Sequence, residues 1–91
     1  MGRIRLTVHF TGQVQGVGFR WQTARSVEAL PVAGYVQNLP DGRVRLVVEA
    51  EQAVAQDALS RVRTACHHYI SGENTESTPA TGEFARFEVR R

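Results

Sequence analysis

An α+β sandwich, with two helices on one face of an antiparallel sheet, is the fold class that this 91-residue chain predicts. Three observations carry it. Apolar and polar side chains alternate near both ends of the chain and twice in its middle, the period of a half-buried strand. Between these runs lie two stretches whose apolar residues recur every three or four positions, the period of an amphipathic helix. The chain is also too short for more than one core, so its elements are expected to pack as two layers in a single domain over residues 1–91.

Each element follows in order. Ile4, Leu6, Val8 and Phe10 alternate with Arg3, Arg5, Thr7 and His9. This is a first strand with one apolar face and one polar face, on which His9 is expected to be solvated. The glycine-rich run TGQVQGVGFRW comes next. From about residue 21 to residue 30, Trp21, Ala24, Val27 and Leu30 form the stripe of a short helix, which Pro31 stops. Trp21, like Tyr35, is expected in the core or on a pocket wall. Residues 35–39 read as a strand, Asp41-Gly42 supplies turn chemistry, and residues 43–50 form the other arm of a hairpin. Val44, Leu46, Val48 and Ala50 share one face of that arm.

Residues 52–67 turn helical again, with Ala55, Ala58, Leu59, Val62 and Cys66 on one stripe. Cys66 is then a small core residue rather than a reactive thiol. His67 and His68 sit at the helix end, where imidazoles meet the negative end of the dipole. As neighbours they are expected to point to different faces, which argues against a metal pair. SGENTESTPATGE is polar and unpatterned, either a loop or a ragged edge strand with a turn. In FARFEVRR, Ala85, Phe87 and Val89 alternate as a closing strand. The order β-α-β-β-α-β is the ferredoxin-like arrangement, with the first strand expected at its centre. That fold hosts enzymes, regulatory modules and RNA binders, so function has to be argued from the site.

Composition narrows the chemistry. All eleven basic residues are Arg, which excludes Schiff-base catalysis and a phosphate-loop lysine. A single Cys excludes an internal disulfide and a cysteine-cluster metal site. No apolar run reaches membrane-spanning length, and the start MGRIRLTV lacks the apolar segment of a signal peptide. The cytoplasm is the default expectation, with no membrane partner. The arginines are spread along the chain, and the polar face of the first strand offers no aromatic platform for bases. No nucleic-acid partner is expected.

The glycine run is the densest signal. Gly12, Gly16 and Gly18 allow successive N–H groups to turn into one concavity ahead of a helix N-terminus, whose partial positive charge favours an anion. Arg20 lies at that junction, with a planar fork that can grip two oxygens of one phosphate or carboxylate. Taken alone, the loop also admits a tight turn with a surface arginine, and a non-catalytic module that binds a small anion for regulation.

GQVQGVGFRW resembles the acylphosphatase signature G-x-V-Q-G-V-x-F-R. GYVQNLPDGRV resembles that family's second signature, a Gly, an aromatic, Val, any residue, Asn, then a turn and Gly-x-Val. The spacing between the two also fits, and the likeness runs through about residues 4–65 and more loosely through the closing strand. The resemblance implies hydrolysis of the carboxyl–phosphate anhydride of small-molecule acyl phosphates, with no metal or organic cofactor. It maps the phosphate-binding loop onto Gln15, Gly16, Val17, Gly18, Phe19 and Arg20, and the catalytic pair onto Arg20 and Asn38. Phosphate or sulfate is the expected ligand of the loop, and a monomer is the expected state.

The chemistry agrees with a site that holds no His, Asp, Glu, Cys or Lys. Phosphoryl transfer passes through a loose, metaphosphate-like transition state, so positioning and charge stabilisation carry most of the work. The leaving carboxylate is a weak base and needs no general acid. The Asn38 amide cannot take a proton at neutral pH but can hold a water. The competing reading of Asn38 is a turn-flanking residue that bonds its own backbone. Gln15 has no evident task beyond shaping the loop. The chain departs from the family pattern at Trp21, where Phe or Tyr is usual, and in HYISGENTEST, where an apolar fourth strand near residues 68–78 is expected.

Overall fold

The computed structural model describes residues 2–91; Met1, which opens the MGRIRLTV start, lies outside the described residues. The elements run β1 (Arg3–Gly12), α1 (Phe19–Val27), β2 (Ala33–Asn38), β3 (Val44–Glu51), α2 (Gln52–Cys66), β4 (Ile70–Pro79) and β5 (Phe87–Arg90). The strands form one sheet in the order β4-β1-β3-β2-β5. The middle strand is therefore β3, not β1 as expected, although β1 remains interior. The sheet is also mixed rather than wholly antiparallel: β5 lies parallel to β2, with Val36 opposite Val89. The reason is a crossing segment, residues 80–86, which carries the chain from one sheet edge to the other, so that β5 enters beside β2 in the same direction.

Both helices cover one face. Leu6, Val8 and Phe10 of β1 and Val44, Leu46, Val48 and Ala50 of β3 point into the core, as their alternation requires. Ala55, Ala58, Leu59, Val62 and Cys66 of α2 meet them there. Cys66 is fully buried, and burial pushes its thiol pKa up, so it behaves as a core residue. Gly34 lets β2 approach β3 closely: its φ is +138°, and a Cβ there would collide with the Val47 carbonyl oxygen.

The α1 stripe differs from expectation. The helix begins at Phe19, capped by Gly18 in the left-handed region, and buries Phe19, Thr23 and Val27 at strict i, i+4 spacing. Phe19 packs on Phe10 with ring centroids 5.3 Å apart. This rotation leaves Trp21 63% exposed, which overturns its core reading. The helix stops at Val27, ahead of Leu30 and Pro31.

The polar segment near residues 68–78 is a strand. β4 pairs antiparallel with β1 along most of its length, with a register shift between Thr11 and Gly12. An edge strand that leaves its faces to solvent needs no apolar alternation, and a polar edge discourages pairing with other chains. The bidentate Arg63–Glu73 pair, with its closest contact at 2.6 Å, ties this edge to α2. His67 and His68 lie beyond the end of α2, where the chain leaves helical geometry. Their rings stack at 4.1 Å instead of diverging. Among the described residues, no group of three or more metal-ligating side chains occurs.

The sheet face opposite the helices is crossed by residues 80–86. Glu49, on this face of β3, is only 1% exposed. It accepts hydrogen bonds from the Thr81 and Gly82 amides, the Thr81 hydroxyl and Arg5 Nε. Burial pushes the Glu49 carboxyl up, but these donors outweigh it and hold the pKa at about 2, against an ordinary 4.5. A depressed carboxylate pKa stabilises the fold above the unfolded value, and that contribution is lost as pH falls from 4.5 through about 2. The shift corresponds to roughly 3 kcal/mol. Glu49→Gln is therefore expected to lower the urea midpoint at neutral pH, and its gap to the parent should close as the pH drops through that window. Equilibrium urea titrations at three pH values check this. His9 is half-buried rather than solvated and accepts from Arg45 Nε at 3.1 Å. Burial, with Arg43 and Arg45 nearby, lowers its pKa.

Candidate active site

The glycine loop leaves β1 and turns into α1 through two left-handed residues, Gly16 at φ +77° and Gly18 at φ +78°. Side chains rarely adopt that conformation, so both positions favour Gly. Val17 rests partly against the core and Phe19 is buried in it, so the side chains that flank Gly18 pin the loop from beneath. Among the described residues, no backbone carbonyl or side chain accepts a bond from the amides of residues 15–20. The first amide to find an acceptor is that of Gln22, which bonds the Gly18 carbonyl. Unpaired N–H groups at a helix start form an anion-favouring surface.

Gln15 does more than sequence reasoning assigned to it. Its Nε2 donates to the carbonyls of Leu39 (2.8 Å) and Arg43 (2.9 Å), which fastens the loop to the β2–β3 turn. No local pattern could reveal this, because the acceptors are backbone groups far away in sequence. Gln15→Leu is expected to cut turnover several-fold while KM changes less, since the loop and the hairpin would lose their common register. Steady-state kinetics, with circular dichroism as a fold check, test it.

Asn38 is the last residue of β2. It continues the period of Gly34 and Val36, so its side chain lies on the helix-covered face. Its amide makes no hydrogen bond to any described residue, and its Oδ1 is buried without a partner. An unmet buried acceptor normally costs about 1–3 kcal/mol. The turn-residue reading of Asn38 does not hold. Asp41 does that work instead, accepting from the Arg43 amide at 3.1 Å and pairing with Arg43 Nε at 2.8 Å. Gly42, at φ +93°, closes the turn by donating to the Leu39 carbonyl.

Arg20 and Asn38 line one open hollow of about 760 Å³, together with Trp21, Val89 and Arg91. Arg20 Nη1 donates to the Arg90 carbonyl at 2.8 Å, which anchors the guanidinium against β5. Its other N–H groups have no acceptor among the described residues. The lining carries two arginines and no Asp or Glu, so its side chains favour an anion. Of the residues expected at the site, the hollow brings together Arg20 and Asn38. Gln15, Gly16, Val17, Gly18 and Phe19 do not line it.

Comparison with known proteins adds the family. The acylphosphatase family model matches residues 6–89. An acylphosphatase of Rubrobacter xylanophilus is 45% identical over 91 residues, covering 94% of this chain and 79% of its own. One of Pseudomonas aeruginosa is 43% identical over 93 residues, covering all of both chains. A crystal structure of the acylphosphatase from Bacillus subtilis superposes with a TM-score of 0.87 over 97% of this chain and 99% of that one; at 24% identity it speaks to the fold alone.

Proposed function

The chain belongs to the acylphosphatase family, and from that footing we propose how its own residues hydrolyse the carboxyl–phosphate anhydride of an acyl phosphate. Family membership sets aside the non-catalytic anion-binding module that the loop alone leaves open.

The phosphoryl group sits against Arg20 and the free amides of the loop. The Arg20 fork takes two non-bridging oxygens while its bond to the Arg90 carbonyl keeps the guanidinium in place. The amides of residues 16–20 meet the remaining charge at the start of α1. Asn38 holds a water opposite the scissile bond through its side-chain amide, whose groups no protein partner occupies. The water oxygen bonds to phosphorus as the bond from phosphorus to the acyl oxygen breaks. That electron pair leaves with the carboxylate, and the water proton passes to a phosphoryl oxygen. The products are a carboxylate and dihydrogen phosphate, which then loses a proton to solvent according to the pH. In this loose transition state the protein moves no proton of its own; it aligns the reactants and stabilises charge.

One observation carries this reading. Arg20 and Asn38 come from different elements, share one hollow, and each keeps polar groups free of protein partners. The test is phosphate release from benzoyl phosphate in the presence of a chelator. Multiple turnovers that the chelator does not diminish are expected. Phosphate binding without turnover, or loss of activity on chelation, would refute the reading.

A further inference from the structure

The exposed large apolar side chains among the described residues are Trp21, at 63%, and Val89, at 46%. Isolated apolar residues on a surface need no explanation. These two are not isolated: both line the hollow that holds Arg20 and Asn38. They reach it from different elements, Trp21 from the first turn of α1 and Val89 from β5. The Trp21 ring is also held in place, since Arg25, one helical turn on, lies with its Cζ 4.9 Å from the ring centroid.

The apolar surface continues past the hollow. Trp21 also borders a second cavity of about 430 Å³, whose lining includes Val27, Leu30, Val32 and Phe87. Phe87 and Val89 alternate on β5, so one strand face contributes to both cavities. An acyl phosphate seated at Arg20 has its acyl carbon one bridging oxygen away from phosphorus. Its substituent must leave the polar centre, and the apolar exit is the surface formed by Trp21 and Val89.

We propose that Trp21 and Val89 are the acyl-binding wall of this site, and that they select acyl phosphates with a large apolar acyl group, aryl groups first, over acetyl-sized ones. The proposal deepens the reading above and rests on its phosphoryl seat at Arg20. An aryl ring against the free side of Trp21 gains an aromatic contact and apolar burial that an acetyl group cannot reach.

The experiment measures kcat/KM for benzoyl phosphate and acetyl phosphate in the parent, Trp21→Ala, Trp21→Phe and Val89→Ser, with inhibition by inorganic phosphate recorded for each. Trp21→Ala is expected to lower kcat/KM for benzoyl phosphate about tenfold, the scale of a lost aromatic contact, with less than about a twofold change for acetyl phosphate. Trp21→Phe restores most of the difference, Val89→Ser shifts the ratio the same way by less, and phosphate inhibition stays unchanged. Because Trp21 is exposed, folding is not at stake. It is also the chain's single tryptophan, so benzoate should perturb its fluorescence in the parent. A benzoyl-to-acetyl ratio insensitive to Trp21, or an equal loss on both substrates, would overturn the acyl wall while leaving the phosphoryl seat intact. Failure of the parent to hydrolyse either substrate would overturn both.

Discussion

Arg20→Ala is expected to reduce acyl-phosphate hydrolysis by about 10³–10⁵-fold, the scale on which a single arginine acts on a phosphoryl transition state. Inorganic phosphate binding should weaken in the same variant, because the guanidinium serves the ground state as well. Arg20→Lys should rescue little. The position demands a planar group that donates to the Arg90 carbonyl at one corner and presents its other N–H groups to two oxygens. An ammonium on a flexible stem supplies the charge but not that division of labour. Burst-free initial rates on benzoyl phosphate, alongside competition by inorganic phosphate, separate the two effects.

Asn38→Ala is expected to lower kcat by about 10²–10³-fold with phosphate inhibition nearly unchanged, as for the loss of one preorganised dipole. The asymmetry is the informative part: a loss of both binding and turnover is expected at Arg20, and of turnover alone at Asn38. Thermal stability of Asn38→Ala should not fall, and a slight rise is expected. The change removes a buried oxygen that has no partner and breaks no hydrogen bond between described residues. A stability gain coupled to a large loss of turnover is the pattern of a residue kept for chemistry.

Much of the candidate site was legible in the sequence because it is built from local signals. Gly16 and Gly18 mark left-handed backbone directly, Arg20 follows at a helix start, and Asn38 sits at a strand end with turn chemistry behind it. What escaped depends on contacts between distant segments. Gln15 looks idle until the β2–β3 turn is folded against it. Glu49 reads as the polar half of an alternating strand, and only the crossing segment at Thr81 and Gly82 buries it. β4 resisted reading for a different reason: an edge strand held by backbone pairing to β1 leaves no apolar period to detect. Of the two places expected for Trp21, core or pocket wall, the structure shows the wall, because the core takes Phe19, Thr23 and Val27 of α1.

The central claim is that the free amides of the loop and the Arg20 guanidinium together seat a phosphoryl group. The most direct measurement is a titration of the isotope-labelled protein with inorganic phosphate, followed by the amide and guanidinium resonances. The account predicts saturable shifts concentrated at residues 16–20 and at the Arg20 side chain, with sodium chloride at matched ionic strength leaving them in place. Shifts scattered over the other arginines, or an undisturbed loop at phosphate concentrations that inhibit turnover, would contradict it.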